Sequence, residues 1–138
     1  MFTLSAAVRI YVAAAPCDLR RGFDGLSALT RSVIGTDPMS GHLFVFLNRR
    51  RDRIKILAWD RTGYVLFYKR LERGTFRIPV EPRAGQLHVE VDSGELTLML
   101  EGLDLRHARR QQRWYRAPLA REHAREHARE SRATARSS

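Results

Sequence analysis

The chain has 138 residues, 43% of them hydrophobic, enough for one domain of ordinary size with a proper core. Its net charge is +10, from 25 basic and 15 acidic residues, and 23 of the basic residues are arginine. One cysteine, Cys17, excludes an intrachain disulfide and fits a reducing cytoplasm, and no apolar run approaches the ~20 residues of a membrane span.

Val8 to Ala13 reads as a first strand, ended by Pro16. Ala13-Ala14-Ala15-Pro16-Cys17 loosely resembles a cleavage site. Arg9 interrupts the apolar stretch before it, and no basic segment leads it, so a signal peptide is rejected. Cys17 or Asp18 then caps a helix reaching about Ile34. Phe23, Leu26, Leu29, Thr30, Val33 and Ile34 share one face at helical spacing, and Gly35 stops the helix. Gly22 and Gly25 weaken it by roughly 1 kcal/mol each relative to alanine, or else permit close packing or a kink.

Asp37-Pro38-Met39-Ser40-Gly41 is a turn. Leu43 to Leu47 is apolar at every position, the pattern of a central strand covered on both faces. The loop Asn48-Arg49-Arg50-Arg51-Asp52-Arg53 follows, then a second strand from Ile54 to Trp59. Asp60-Arg61-Thr62-Gly63 turns the chain, with Gly63 able to take positive φ. Tyr64 to Arg70 is the third strand of this meander. Glu72-Arg73-Gly74 turns again, and Thr75 to Ile78 is read as a fourth strand, closed by Pro79 and Pro82. Leu87 to Val91 is a short edge strand. Asp92 followed by Glu95 starts a short helix with a capping-box pattern, its apolar face formed by Leu96, Met99, Leu100 and Leu103.

Charge is unevenly spread. Residues 1–106 carry 16 basic and 12 acidic groups, whereas 107–138 carry 9 and 3. Residues 1–106 are therefore read as the globular domain. Residues 107–138 are read as an Arg-rich, low-complexity tail, disordered or partly helical, with the four-residue repeat Arg121-Glu122-His123-Ala124. His123 and His127 are four apart, but no further ligand has a defined position, so no metal is assigned.

Four ordered blocks carry a family resemblance. They are Asp18-Leu19-Arg20-Arg21-Gly22-Phe23-Asp24-Gly25-Leu26; Asp37-Pro38 with Ser40 to Phe46; Arg49-Arg50, Asp52 to Leu57, Trp59-Asp60 and Gly63; and Tyr68 to Gly74 with Phe76 and Pro79. A weaker fifth is Leu98 with Leu100 to Asp104. This pattern resembles the small accessory protein, often called TnpB or Orf2-like, of insertion sequences of family 66. The resemblance implies a bacterial mobile-element protein encoded beside a larger transposase and needed for, or assisting, transposition; that larger partner resembles an acidic-triad transposase, so this chain need not cut DNA. Cys17, where the family pattern expects a small hydroxyl residue, and the extended tail are departures.

The chemistry the sequence offers is cationic. Arg20, Arg21, Arg49, Arg50, Arg51, Arg53, Lys55, Lys69, Arg70 and Arg73 are the expected nucleic-acid-binding residues. In a meander, the third strand brings Lys69, Arg70 and Arg73 back to the end that carries Arg49 to Arg53, with Arg61 at the opposite end. Arginine suits such a pole because its planar fork matches phosphate oxygens. A polar hairpin turn that happens to use arginine is the plainer reading. Trp59, Tyr64 and Tyr68 are interleaved with these cations and either stack on bases or pack in the core. Asp52 with Lys55 raises a metal-dependent nuclease, although its spacing matches no defined motif; Asp18 as a helix cap and Asp52 and Asp60 as turn residues account for these carboxylates.

The expected fold is α+β: a single domain with a mainly antiparallel sheet meander packed against one longer helix, plus a short C-terminal helix and the basic tail. The expected function is a non-enzymatic accessory protein of transposition that binds DNA through the Arg-rich pole and acts in the bacterial cytoplasm at the nucleoid. DNA and the element's transposase are its expected partners, with no membrane, small-molecule substrate or cofactor. The alternative is a protein–protein adaptor docking onto the transposase with little DNA contact, and the third reading is the nuclease.

Overall fold

A computed structural model describes residues 6–102 of the chain. The sheet has five strands: β1 Ile10–Ala13, β2 Leu43–Leu47, β3 Arg53–Asp60, β4 Gly63–Arg70 and β5 His88–Val91, ordered β4-β3-β2-β1-β5. β2–β3, β3–β4 and β1–β5 are antiparallel, and β1–β2 alone is parallel. A parallel neighbour needs a crossover of a dozen or more residues. That crossover contains helix α1 (Phe23–Leu29), which continues as a π-helical turn over Thr30–Ile34. Helix α2 (Ser93–Glu101) follows β5. The result is the α+β domain read from the sequence.

β2 shows why an unbroken apolar run belongs in the middle. All five of its residues are buried. Phe44 and Phe46 point into a cluster with Leu19, Leu26, Ile34 and Leu57, on the α1 side. Leu43, Val45 and Leu47 point into the other cluster, with Leu96, Met99 and Phe76 on the α2 side. Each such side chain contributes about 1.5–3 kcal/mol through removal from water, so the two layers flanking this strand hold the domain together.

Four local expectations are corrected. The helix begins at Phe23, not Asp18, and Gly22 at its N-cap makes no side-chain cap bond. Asp18 instead accepts the Arg20 backbone N–H at 3.0 Å, a local turn that competes with helix formation. Phe23 is exposed, while Leu26, Thr30 and Ile34 are buried, so the apolar face starts one turn later than its spacing suggested. In the turn after β3, the left-handed residue is Arg61 at φ 48°, not Gly63. Thr75 to Ile78 forms no strand beyond an isolated bridge. The Phe76 side chain is fully enclosed in the α2-side cluster, and its N–H donates to the Arg51 carbonyl at 2.6 Å.

The C-terminal helix matches its reading. Glu95 N–H donates to Asp92 Oδ1 at 2.7 Å, and Asp92 N–H donates to Glu95 Oε1 at 3.0 Å. Leu96 and Met99 are buried beneath it. At its end, Gly102 adopts φ 76° and ψ 173°, a backbone region that residues with a Cβ essentially do not enter. The expected tail 107–138, its His123/His127 pair, the domain boundary at 106, Leu103 and Asp104 lie outside the described residues.

Removing the capping box tests the α2 assignment. Asp92→Ala is expected to lower unfolding free energy by about 1 kcal/mol in urea denaturation; an unchanged midpoint would show that the box is not formed.

Candidate nucleic-acid interface

The arginine loop between β2 and β3 is held on several sides. Asn48 Nδ2 donates to Asp52 Oδ1 at 2.6 Å, and Asn48 Oδ1 accepts the Arg53 N–H at 3.0 Å. Arg51 N–H donates to the Asn48 carbonyl at 3.1 Å and Leu71 N–H to the Asp52 carbonyl at 2.7 Å. Arg51 sits in the left-handed region at φ 58°, which costs a non-glycine residue about 1–2 kcal/mol. The Phe76 bond to its carbonyl helps hold it there. Arg49, Arg50 and Arg51 are therefore exposed side chains on a fixed backbone.

A second wall faces this loop. Cys17 N–H donates to the Leu47 carbonyl at 2.9 Å, which brings Pro16 to Arg20 alongside the end of β2. Between the two walls lies an open groove of about 1260 Å³, lined by Asp18, Arg20, Arg49, Arg50, Arg53, Lys55 and Tyr68 among others. Lys55 forms part of its floor. Its Nζ donates to the Arg21 carbonyl at 2.9 Å and lies 4.7 Å from the centre of the Tyr68 ring, and the residue is only 7% exposed. Gly25 leaves room for the Arg21 stem: a Cβ there would approach Arg21 Cβ to 3.0 Å.

The register of β3 and β4 sets Arg53 directly opposite Arg70. Like charges so placed repel. Glu72 accepts two bonds from the Arg70 guanidinium, at 3.2 and 2.9 Å, and Arg53 Nη1 donates to the Tyr68 hydroxyl at 2.7 Å. Arg20 is likewise paired, with Asp18, at 2.8 Å. The Arg20 hydrogen bonds hold the Asp18 carboxyl well below the usual range, at about 2. Among the described residues, Arg21, Arg49, Arg50, Arg51, Arg53 and Arg73 have no carboxylate partner.

Eight of the ten expected cations thus lie at one end of the sheet and in the segments next to it with charge facing solvent: the meander implied this for Arg49, Arg50, Arg51, Arg53, Arg70 and Arg73, and the crossing segment adds Arg20 and Arg21. Lys55 is at the same place but buried and bonded internally. Lys69 is at the same strand end but on the opposite face, where its Nζ donates to the Leu100 carbonyl at 2.7 Å, near the end of α2. A cation there complements the helix C-terminus. Alternation along β4 carries the signal that separates Lys69 from Arg70, because successive side chains face opposite sides.

The other candidates resolve into structural roles. Trp59 and Tyr64 pack edge to face at 5.1 Å between ring centres, and the Tyr64 hydroxyl bonds to Ser27 Oγ at 3.3 Å. Burial pushes the Cys17 thiol pKa up, which keeps it protonated and a poor nucleophile. The Asn48 amide holds the Asp52 carboxyl down, and Asp18 is held by Arg20. Among the described residues, no three His, Cys, Asp or Glu side chains converge as metal ligands do.

Two predictions follow from this geometry. Lys55→Met keeps the stem but strands the Arg21 carbonyl, so it should cost about 1–3 kcal/mol in urea denaturation, whereas Arg49→Ser should stay within about 0.5 kcal/mol. Equal effects would show that Lys55 is not a structural member of the groove. For Asp18, the folded pKa lies below the usual 3.8. Its pairing with Arg20 therefore stabilises the fold fully above that pH, and the contribution is lost as pH falls toward about 2. A carboxyl ¹³C titration should give a midpoint near 2; one near 3.8 would mean that the pair is open in solution.

The family described as IS66 Orf2 like protein matches residues 8–110. The chain is 40% identical over 107 residues to the uncharacterized protein y4jC of Sinorhizobium fredii, covering 78% of this chain and 89% of that one. It is 36% identical over the same length, with the same coverage, to the uncharacterized protein y4hO of that organism. No solved structure matches. A family match spanning nearly the whole described domain, with relatives aligned over most of their own length, shows that the chain belongs to the IS66 Orf2-like family of insertion-sequence proteins.

Proposed function

We propose that the protein is a non-enzymatic accessory factor of insertion-sequence transposition that binds DNA through its arginine groove. The observation that carries this reading is the fixed loop Arg49–Arg51 beside Arg53. These cations have no carboxylate partner among the described residues and stand on a backbone held by side-chain and main-chain bonds. Arg53 and Arg70 are held opposite one another; a phosphate beside them would relieve their repulsion. No helix of the described domain projects as a reading head: α1 packs on one face of the sheet and α2 on the other. The contacts are therefore to the phosphate backbone, which position a protein without reading sequence. A nucleoid location in a bacterial cytoplasm and cooperation with the element's transposase accompany this reading.

One observation favours a second reading, docking onto the transposase. β4 is an eight-residue edge strand with β3 as its only partner among the described residues. Such an edge can accept a strand from another chain.

Fluorescence anisotropy of the full chain with a labelled end of the parent element, and with a scrambled duplex, across a salt series separates the two. Binding should weaken steeply with salt. Replacing Arg49, Arg50, Arg51 and Arg53 by Ser should make the slope of log K against log salt shallower by about 3–4 and leave transposase binding intact. Unchanged DNA affinity and slope in that variant would overturn the assignment of the groove. Loss of transposase binding with DNA binding retained would favour the adaptor.

A further inference from the structure

We propose that Tyr68 is a stacking platform for an unpaired base, so that the groove seats single-stranded DNA in preference to duplex. This rests on the DNA-binding reading above and specifies the form of DNA. Three aromatics are interleaved with the cations, and the structure separates them. Trp59 and Tyr64 are committed to each other and to Ser27. Tyr68 is 48% exposed and lines the groove.

Its ring is already fixed. The hydroxyl accepts from Arg53 Nη1 at 2.7 Å, and the Lys55 ammonium lies 4.7 Å from the ring centre, supplied by the adjacent strand. On its other side β4 is a sheet edge, and no other aromatic packs on Tyr68 among the described residues. A ring held in place and half open to solvent pays little ordering entropy when a base lies on it. Arg49, Arg50 and Arg53 line the same groove and supply the phosphate contacts.

The shape of the groove decides between forms of DNA. It is a concavity between the Pro16–Arg20 wall and the Asn48–Arg50 loop, and Tyr68 is among the residues that line it, with Lys55 over one face of the ring and the open sheet edge on the other side. A duplex turns its bases inward and offers the groove only a phosphate ridge. A single strand can place a base on the ring and its phosphates on the guanidinium groups at once. This pairing of a cationic groove with an aromatic surface is the general solution for single-strand binding.

The test is anisotropy of the full chain with a labelled single strand, its duplex, and the same single strand carrying abasic sites. Wild type should bind the single strand more tightly than the duplex. Tyr68→Ala should weaken single-strand binding by about fivefold to a hundredfold more than it weakens duplex binding. Tyr68→Phe, which keeps the ring, should retain the preference. The abasic strand should show the alanine-like loss with unaltered protein, which guards against a misfolded variant. Equal affinity of wild type for intact and abasic strands would overturn the stacking role while leaving backbone binding in place. So would an equal loss of single-strand and duplex binding in Tyr68→Ala, which would make Tyr68 only a support for Arg53. No binding to any DNA would overturn both this inference and the reading on which it rests.

Discussion

The Lys55 ammonium is the point on which the groove depends. One buried cation joins three stretches of chain that are far apart in sequence: β3 through its own backbone, the Pro16–Gly22 crossing segment through the Arg21 carbonyl, and β4 through the Tyr68 ring. Leaving a buried amine without partners is expensive, so the carbonyl and the ring must both stay where they are. The wall, the floor and the aromatic surface of the groove are thereby set together. Gly25 completes the arrangement by letting the Arg21 stem close against the start of α1.

Charge around this point is graded. Arg20 and Arg70 are each tied to a carboxylate two residues away in sequence, Asp18 and Glu72. These pairs are exposed and contribute little to stability. Their effect is to lower net charge at the flanks while Arg49, Arg50 and Arg53 keep theirs in the centre. The strain accepted at Arg51 belongs to the same economy of placement: a turn-favouring residue there would relax the backbone but subtract a cation from the loop.

Much of this was legible from residue patterns. An unbroken Leu43–Leu47 run announced a central strand, the Asp92/Glu95 pair announced a capped helix, and the meander placed Arg53 and Arg70 at one end. What the sequence concealed came from competition between neighbours. Asp18 has the chemistry of a helix cap, but Arg20 claims its carboxylate, and the helix waits until Phe23. Phe76 sits in a short strand-like stretch, yet its N–H goes to the Arg51 carbonyl of the arginine loop and its side chain plugs the core, with no strand ladder beyond an isolated bridge. Lys55 and Lys69 look like any other cations in the series. Only the face each occupies, and the carbonyl it finds there, shows that both are internal struts.

The position of the arginine loop has a consequence for the chain before it folds. Leu43-Phe44-Val45-Phe46-Leu47 is uncharged, free of proline and rich in strand formers, the kind of segment that self-associates when exposed. It cannot be shielded until β1, β3 and both helices have arrived, and its β1 neighbour comes from the far side of a long crossover. Arg49, Arg50 and Arg51 follow it almost directly, so any stack of such segments would pile up like charges. The exposed arginines of this loop thus also stand where gatekeepers against aggregation of the nascent chain belong, and the proposed binding role and this one constrain the same few positions.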